Sequence, residues 1–298
     1  MSAPRFGRVI TAMVTPFDER GDVDFDVARD VARFLVAHGS DALVVAGSTG
    51  EGSSLDDDEK LNLFACVAEA VSTPVLAGTS FANTRHSVAL TARVAACGVA
   101  GVLATTPAYA RPSQAGIEAH LGAVAEATTL PVMLYDIPSR TGRKIHSTTT
   151  VALAQKHANV VALKDASGDV PMAAHTKSVL GDQLDLYSGD DAMTLPFIAV
   201  GAAGVVSVAA HWAGAEFAAL VAAALAGDPV RAGAINEQLR PSIEFESSEV
   251  YPNPLPTKAM MRQLGFAVGE CRLPHAGGDE VLDARAHDVL TQLRFSRD

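Results

Sequence analysis

Eight short apolar runs recur along the chain at intervals of roughly 20 to 35 residues, and an alanine-rich stretch with helical periodicity follows each run. The runs are apolar on both faces, as expected for parallel strands covered by helices. They span residues 9–17, 42–47, 74–79, 101–107, 131–136, 160–164, 184–188 and 204–208. Eight β and α units favour a closed (β/α)8 TIM barrel over an open doubly wound sheet, whose glycine-rich dinucleotide turn is missing from this sequence.

The pattern changes to helices alone after residue 210. Breaks within this part fall at Gly-Asp-Pro (227–229) and at the proline-rich segment 251–256. We predict a catalytic barrel over residues 1–224 and a C-terminal helical region over residues 225–298. A barrel of about 250 residues with a small appendage is consistent with the chain length.

Charge and cysteine content exclude several classes of protein. A formal charge of -11 argues against nucleic acid or anionic lipid as a partner. Cys66, Cys97 and Cys271 lie far apart without a C-x-x-C pair, so they form neither a disulfide framework nor a zinc site. Residues 1–8 contain no apolar signal segment, and every apolar run ends well before about 18 residues. We therefore expect a cytosolic protein without a membrane partner.

One predicted strand end is unlike the others, because Lys164 closes a fully apolar run. The site of such a barrel lies at the C-terminal ends of its strands. Burial there disfavours the charged form of a lysine and lowers its pKa by as much as about 3 to 5 units. A neutral lysine attacks ketones to give an imine, which acts as an electron sink. Lys164 is the candidate Schiff-base residue; the alternative is a structural ion pair with Asp165 or another carboxylate.

Neighbouring strand ends carry groups that imine chemistry requires. Tyr135 could transfer protons, although a core tyrosine with a satisfied hydroxyl is an alternative. Ser48 and Thr49 lie in a glycine-flanked turn whose N–H groups and hydroxyls could bind a carboxylate. Arg140 could hold a second carboxylate through two parallel hydrogen bonds, whereas an arginine alone is more often a surface residue.

Together these segments resemble the dihydrodipicolinate synthase and N-acetylneuraminate lyase family of class I aldolases, and the likeness covers nearly the whole chain. The matching motifs are TAMVTPF (11–17), GSTGE (47–51), TPAYARPSQAG (106–116), LYDIPSRTG (134–142), VVALKDASGD (160–169), YSGDDAMTLP (187–196), GVVSV (204–208) and NPLPTKA (253–259). The arginine of YDIPSRTG is similar to that of the synthase branch, where it meets the carboxylate of aspartate semialdehyde. Sialic-acid lyases generally lack it.

The resemblance implies a catalytic group and a substrate-binding group of residues. Lys164 would form an imine with pyruvate, and Tyr135 would shuttle protons at that centre. Ser48 would link Tyr135 to Tyr109 in a hydroxyl relay. Among the substrate-binding residues, Thr49 would bind the pyruvate carboxylate. Arg140 would bind L-aspartate 4-semialdehyde and orient Tyr109. The carbonyls of Gly189 and Val206 would line the pocket. The implied product is 4-hydroxy-tetrahydrodipicolinate, an intermediate toward diaminopimelate and lysine, made without a metal or cofactor.

The family is commonly homotetrameric, built as a dimer of dimers in which Tyr109 would reach the neighbouring subunit's site. This sequence departs from the family pattern in three places. Ser48 stands where synthases more often have threonine, and Ala108 replaces an aromatic residue. Asp57 and Lys60 stand where lysine-inhibited bacterial members often place histidines. We therefore expect lysine to inhibit this enzyme weakly or not at all.

Three other functions are compatible with parts of the pattern. The nearest is another pyruvate aldolase, or a keto-deoxy-sugar-acid dehydratase, with the same lysine and a different partner. A metal-dependent barrel enzyme would need clustered ligands, but none of the nine histidines has H-x-H or H-E-x-x-H spacing. The acidic run 56–59 is better explained as the first turn of a helix than as a metal site. A catalytically silent paralogue would have to retain the motifs without activity.

Overall fold

The structure, a computed structural model, describes residues 3–80 and 82–293 of the chain. In these residues eight parallel strands close into a barrel in chain order, and the last strand pairs with the first. The strands are β1 (Val9–Ala12), β2 (Ala42–Val45), β3 (Val75–Gly78), β4 (Gly101–Thr105), β5 (Val132–Asp136), β6 (Val160–Asp165), β7 (Asp185–Ser188) and β8 (Gly204–Ser207). The predicted (β/α)8 barrel is confirmed.

Helices surround the barrel and continue beyond it. Within the described residues they are α1 (Phe25–Ala37), α2 (Asp57–Ala70), α3 (Thr84–Arg93), α4 (Gln114–Glu126), α5 (Pro138–Thr141), α6 (Ser147–Lys156), α7 (Val170–Leu180), α8 (Thr194–Ala199), α9 (Ala210–Leu225), α10 (Pro229–Phe245), α11 (Leu255–Gln263) and α12 (Glu280–Leu293). The acidic run 56–59 does begin a helix, because Asp56 caps α2 and Glu59 completes a capping box. No helix in the described residues is both long and apolar enough to cross a membrane.

The first predicted strand is too long. Strand β1 ends at Ala12, although the apolar run continues to Phe17. Residues of this continuation are buried as a loop above the barrel, where Met13 N–H bonds to Val44 O at 2.9 Å and Phe17 N–H to Val268 O at 3.0 Å. The loop is as apolar as the strand because it is buried beneath the C-terminal region. Hydrophobicity alone therefore cannot locate the end of the strand.

Side chains of each strand alternate between two apolar cores. On β2, Leu43 and Val45 pack outward against the helices, whereas Val44 joins an inner core with Leu76 and Tyr135. Alternation on β6 works in the same way, because Ala162 belongs to the inner core and Leu163 to the outer one. Lys164, two residues after Ala162, therefore projects into the barrel.

The C-terminal helices pack on one another and on the barrel. Helix α10 lies against α9 and α12, and α11 lies against α9 and α12. The indole N–H of Trp212 donates to the Ser242 hydroxyl at 3.0 Å, which joins α9 to α10 through a buried hydrogen bond. Helix α11 is in turn attached to the turn after β2, so the C-terminal region reaches the mouth of the barrel.

Candidate active site

Lys164 and Tyr135 face each other at the C-terminal end of the barrel. They are register partners on the paired strands β6 and β5. Lys164 Nζ lies 4.2 Å from the centroid of the Tyr135 ring, and the two residues are 5% and 3% exposed. Asp165, the alternative ion-pair partner, projects from the opposite face of β6, and its Oδ1 accepts from Ser167 N–H at 2.8 Å. The lysine is thus packed against a phenol.

Burial controls the protonation of Lys164. Desolvation lowers the pKa of Lys164 to about 7, and the positive charge of Arg140 acts in the same direction, while Asp191 opposes it. In a large fraction of the protein molecules, Lys164 is therefore an unprotonated amine near neutral pH. The amine lone pair is the nucleophile that imine formation needs.

We expect the rate of imine formation with pyruvate to rise with pH and to be half-maximal near pH 7. The reason is that the neutral fraction of the amine grows as the pH passes through the lowered pKa of Lys164. Initial rates of cyanoborohydride trapping of pyruvate, measured between about pH 6 and 9, test this expectation. A midpoint near about 10.4, as for an unperturbed lysine, would contradict it.

Tyr135 retains its proton at physiological pH. Desolvation raises the pKa of Tyr135 to about 12, although Arg140 and a hydrogen bond with the Ser48 side chain act against the rise. A protonated phenol beside an amine can donate to an oxygen leaving a carbinolamine and then recover the proton. The bond to Ser48 places a second hydroxyl at the same centre, as the predicted relay requires.

The turn after β2 is fixed by close backbone contacts. Ala46 and Glu51 both have positive φ angles, of 53° and 52°. A Cβ on Gly50 would approach Met13 O to 2.8 Å, and a Cβ on Gly52 would approach Ala46 O to 2.0 Å. Only glycine fits at these two positions without movement of the backbone. The turn therefore presents Ser48 and Thr49 in a single arrangement.

A buried ion pair anchors the same turn to the C-terminal region. Lys258 Nζ on α11 lies 2.9 Å from Glu51 Oε1, with side chains 1% and 0% exposed. Glu51 Oε2 also accepts from the Arg272 N–H at 2.8 Å, and Lys258 donates to Glu270 O at 2.8 Å. Removal of one partner would leave a buried charge uncompensated, which typically costs about 3 to 5 kcal/mol.

Arg140 lies at the mouth of the barrel on the short helix α5. Its Nη2 donates to the backbone carbonyl of Asn253 at 3.1 Å, and the residue is otherwise exposed. A cavity of about 580 Å³ opens here and is lined by Ser48, Arg140 and Thr106, among others. The guanidinium therefore faces the opening, where it can meet an anionic group of an incoming molecule.

Gly189 lies against Lys164, and Val206 lies in the inner core of the barrel. A Cβ on Gly189 would come within 3.0 Å of Lys164 Cγ, so glycine leaves room for the lysine stem. Val206 belongs to the inner core that contains Tyr135 and is 1% exposed. Seven of the eight predicted site residues thus lie at one end of the barrel; they are Lys164, Tyr135, Ser48, Thr49, Arg140, Gly189 and Val206.

Comparison with known proteins identifies the family of this chain. The family model described as the dihydrodipicolinate synthetase family matches residues 5–293. The chain belongs to this family. A relative from Moorella thermoacetica, named 4-hydroxy-tetrahydrodipicolinate synthase, is 45% identical over 92% of this chain and 93% of its own length. A protein of the same name from Synechococcus sp. is 47% identical over 99% of this chain and 97% of its own length.

Solved structures of dihydrodipicolinate synthases share the fold. The structure from Cyanidioschyzon merolae, solved with lysine bound, has a TM-score of 0.94 and 39% identity, and covers 97% of this chain and 98% of that one. The structure of DapA-2 from Bacillus anthracis has a TM-score of 0.92 and 39% identity with the same coverage. The fold of these two dihydrodipicolinate synthases therefore matches nearly the whole of this chain.

Tyr109 is the predicted site residue that a single chain does not bring to the centre. Its side chain is 97% exposed, with a positive φ of 67° in the loop after β4. The predicted contact with Ser48 is therefore not made within one copy. The family resemblance placed this tyrosine in a neighbouring subunit, and its exposure leaves it available for such a contact.

The two positions on which the expectation of weak lysine inhibition rests, Asp57 and Lys60, lie on α2. The Asp57 carboxylate lies 2.8 Å from His86 Nε2, at an exposed position. Lys60 is 1% exposed, and desolvation lowers its pKa to about 8. Weak inhibition by lysine stays a prediction.

Sequence reasoning missed two acidic residues that influence Lys164. Asp191 Oδ2 accepts from Val208 N–H at 3.0 Å and Ala209 N–H at 2.8 Å. Burial raises the pKa of Glu246 well above its ordinary value, and its carboxyl shares a hydrogen bond with Asp191. Both carboxyl groups act on the pKa of Lys164. Asp191 lies within the YSGDDAMTLP motif, whereas no motif marked Glu246, which follows α10.

Proposed function

We propose that this chain condenses pyruvate with L-aspartate 4-semialdehyde to give 4-hydroxy-tetrahydrodipicolinate, in the biosynthesis of diaminopimelate and lysine. The observation that carries the proposal is the buried Lys164 amine above the Tyr135 ring, with Arg140 at the mouth. Relatives that carry this enzyme name cover nearly the whole chain.

The first half of the reaction uses pyruvate alone. The neutral Lys164 amine attacks the ketone carbon, and Tyr135 protonates the oxygen, which leaves as water to give the imine. The Thr49 hydroxyl, with the backbone N–H of Ser48, holds the pyruvate carboxylate. The protonated imine withdraws electrons, so a methyl proton passes to the Tyr135 phenolate and an enamine forms. The imine itself is the electron sink, so the step needs no cofactor.

The second half adds the aldehyde. The enamine carbon attacks the aldehyde carbon of L-aspartate 4-semialdehyde, and Tyr135 donates the proton that converts the aldehyde oxygen to a hydroxyl. Tyr135 then recovers a proton from the ammonium group of the substrate, which leaves a neutral amine. Arg140 binds the carboxylate of this substrate. The substrate amine then attacks the imine carbon, which closes the ring and releases Lys164. Each residue returns to its starting protonation state.

The active unit in this proposal is a homotetramer in the cytoplasm. The exposed Tyr109 supports it, because a single chain leaves the relay from Tyr135 through Ser48 without its third hydroxyl. In a dimer of dimers, Tyr109 of one subunit completes the relay of the next. The Arg140 guanidinium then orients it.

The proposal is tested by adding purified protein to pyruvate and L-aspartate 4-semialdehyde. Coupling to a dihydrodipicolinate reductase converts product formation into loss of reduced nicotinamide absorbance. Turnover supports the synthase. Absence of turnover in protein that still traps pyruvate on Lys164 would instead support an aldolase or keto-deoxy-sugar-acid dehydratase with another partner.

Replacing Arg140 with alanine is expected to raise KM for the aldehyde more than KM for pyruvate. A charge-assisted hydrogen bond contributes about 1.5 to 3 kcal/mol, which corresponds to roughly 10- to 150-fold. Steady-state kinetics with each substrate varied in turn measure both constants. Arg143→Ala is the matched control, since this guanidinium donates to Arg111 O at 3.1 Å. Equal increases for both substrates would contradict the assigned role.

A further inference from the structure

Asn253, the first residue of the NPLPTKA motif, contacts both predicted carboxylate-binding residues. Its side-chain Nδ2 donates to Thr49 Oγ1 at 2.8 Å. Its backbone carbonyl accepts from Arg140 Nη2 at 3.1 Å. Asn253 is 7% exposed and Thr49 is 3% exposed, so the bond between their side chains is shielded from water. One residue of the C-terminal region thus joins the pyruvate side of the site to the aldehyde side.

The direction of the bond to Thr49 has a chemical consequence. A threonine hydroxyl has one hydrogen and can accept bonds on its oxygen. Because Thr49 Oγ1 accepts from the amide of Asn253, its hydrogen remains available for another acceptor. The carboxylate of pyruvate is an acceptor without hydrogens of its own. The amide therefore keeps the hydroxyl in the donating orientation that a bound carboxylate requires.

The amide is held from a second side. Thr257 Oγ1 donates to Asn253 Oδ1 at 3.1 Å, and Thr257 is fully buried on α11. In this arrangement Oδ1 accepts from Thr257, and Nδ2 is the end of the amide that donates to Thr49. The buried Glu51–Lys258 ion pair holds α11 against the same turn. Contacts on either side of the Asn253–Thr49 bond thus fix its geometry.

We propose that Asn253 is a positioning residue for pyruvate: its side-chain amide orients the Thr49 hydroxyl as a donor to the pyruvate carboxylate, while its backbone carbonyl anchors Arg140. The inference rests on the proposed use of pyruvate by Lys164. The two roles belong to different atoms of Asn253: the side-chain amide acts on pyruvate binding through Thr49, and the backbone carbonyl acts on aldehyde binding through Arg140. Replacement of the side chain should therefore affect the two substrates unequally.

The test compares Asn253→Asp and Asn253→Ala with the unchanged protein in borohydride trapping of pyruvate. A carboxylate at position 253 accepts the Thr49 hydrogen and places a negative charge beside the pyruvate carboxylate. We expect Asn253→Asp to raise the half-saturating pyruvate concentration by about 10-fold or more, and Asn253→Ala to raise it by less. KM for the aldehyde should change less than that for pyruvate, because the carbonyl that accepts from Arg140 is retained.

A double-mutant cycle separates this role from a structural one. If Asn253 acts through Thr49, Asn253→Ala should have little further effect on pyruvate half-saturation in the Thr49→Val background. The same Asn253→Ala effect in both backgrounds, or unchanged half-saturation in Asn253→Asp, would overturn the proposal. If Asn253→Asp does not fold, Thr257→Val is the second variant: it frees the amide and should also weaken pyruvate trapping, and Thr257→Ser should restore it. Unchanged trapping in Thr257→Val would then overturn the proposal.

Trapping requires pyruvate and Lys164 but no aldehyde. A protein that traps pyruvate normally and fails in the coupled assay would refute the proposed aldehyde, while the Asn253 result would still stand. A protein that traps no pyruvate at all would refute the proposed function itself. The two failures are therefore distinguishable in one set of measurements.

Discussion

Lys164→Ala is expected to abolish turnover and the borohydride-dependent labelling of the protein by pyruvate. Alanine has no amine, so neither the carbinolamine nor the imine can form, and every later step depends on them. Loss of a covalent nucleophile lowers turnover by factors on the order of 10⁴ or more. Mass spectrometry of the intact protein after reduction with pyruvate measures the labelling, and the coupled assay measures the turnover.

Lys60→Met is the matched control for this experiment. Lys60 is also buried and its pKa is also lowered, to about 8, but it lies on α2 rather than at a strand end inside the barrel. This variant should be labelled once per chain, as the unchanged protein is. Labelling that persists in Lys164→Ala would move the imine to another lysine and would refute the assigned role.

Tyr135→Phe is expected to reduce turnover by roughly 10²-fold or more while leaving the fold intact. The ring that packs against Lys164 is retained, and only the hydroxyl that exchanges protons at the imine is lost. General acid or base catalysis typically contributes about 10² to 10⁴ in rate. The decrease should appear in kcat of the coupled assay and in the rate at which pyruvate is trapped.

Tyr187→Phe removes a hydroxyl from a second tyrosine of the inner core. Tyr187 is the register partner of Lys164 on β7, but its hydroxyl donates to Gly7 O at 2.9 Å, just before the first strand. We expect this variant to lose about 1 kcal/mol of unfolding free energy and to keep its turnover. A near-normal rate in Tyr135→Phe would show that Tyr135 is a packing residue.

The fold and the pairing of Lys164 with Tyr135 could be predicted because both leave local signals. Apolar runs at regular spacing define parallel strands, and a lysine at the end of an apolar run is expensive to bury without a function. Lys164 and Tyr135 end adjacent strands, so the barrel topology alone places them together. The end of β1 was wrong because the loop after it is as apolar as the strand.

Other parts of the site leave no local signal. Asn253 and Thr49 are 204 positions apart in sequence, and their hydrogen bond depends on how α11 docks on the barrel. Glu246 follows α10, and its position beside Asp191 depends on how α10 packs against α9 and the residues after β7. Tyr109 was identified through the family resemblance, and a single chain provides no contact for its side chain. These residues require tertiary structure to be located.

The buried attachment of α11 to the turn after β2 means that the barrel strands alone do not supply all the contacts of this turn. A nascent chain that has emerged as far as the eighth strand contains Lys164, Tyr135 and Ser48, but Glu51 has no ion-pair partner and Thr49 has no amide donor until residues 253–258 follow. The turn that carries Ser48 and Thr49 therefore reaches its final contacts only after a segment some 204 positions further along the chain has been made.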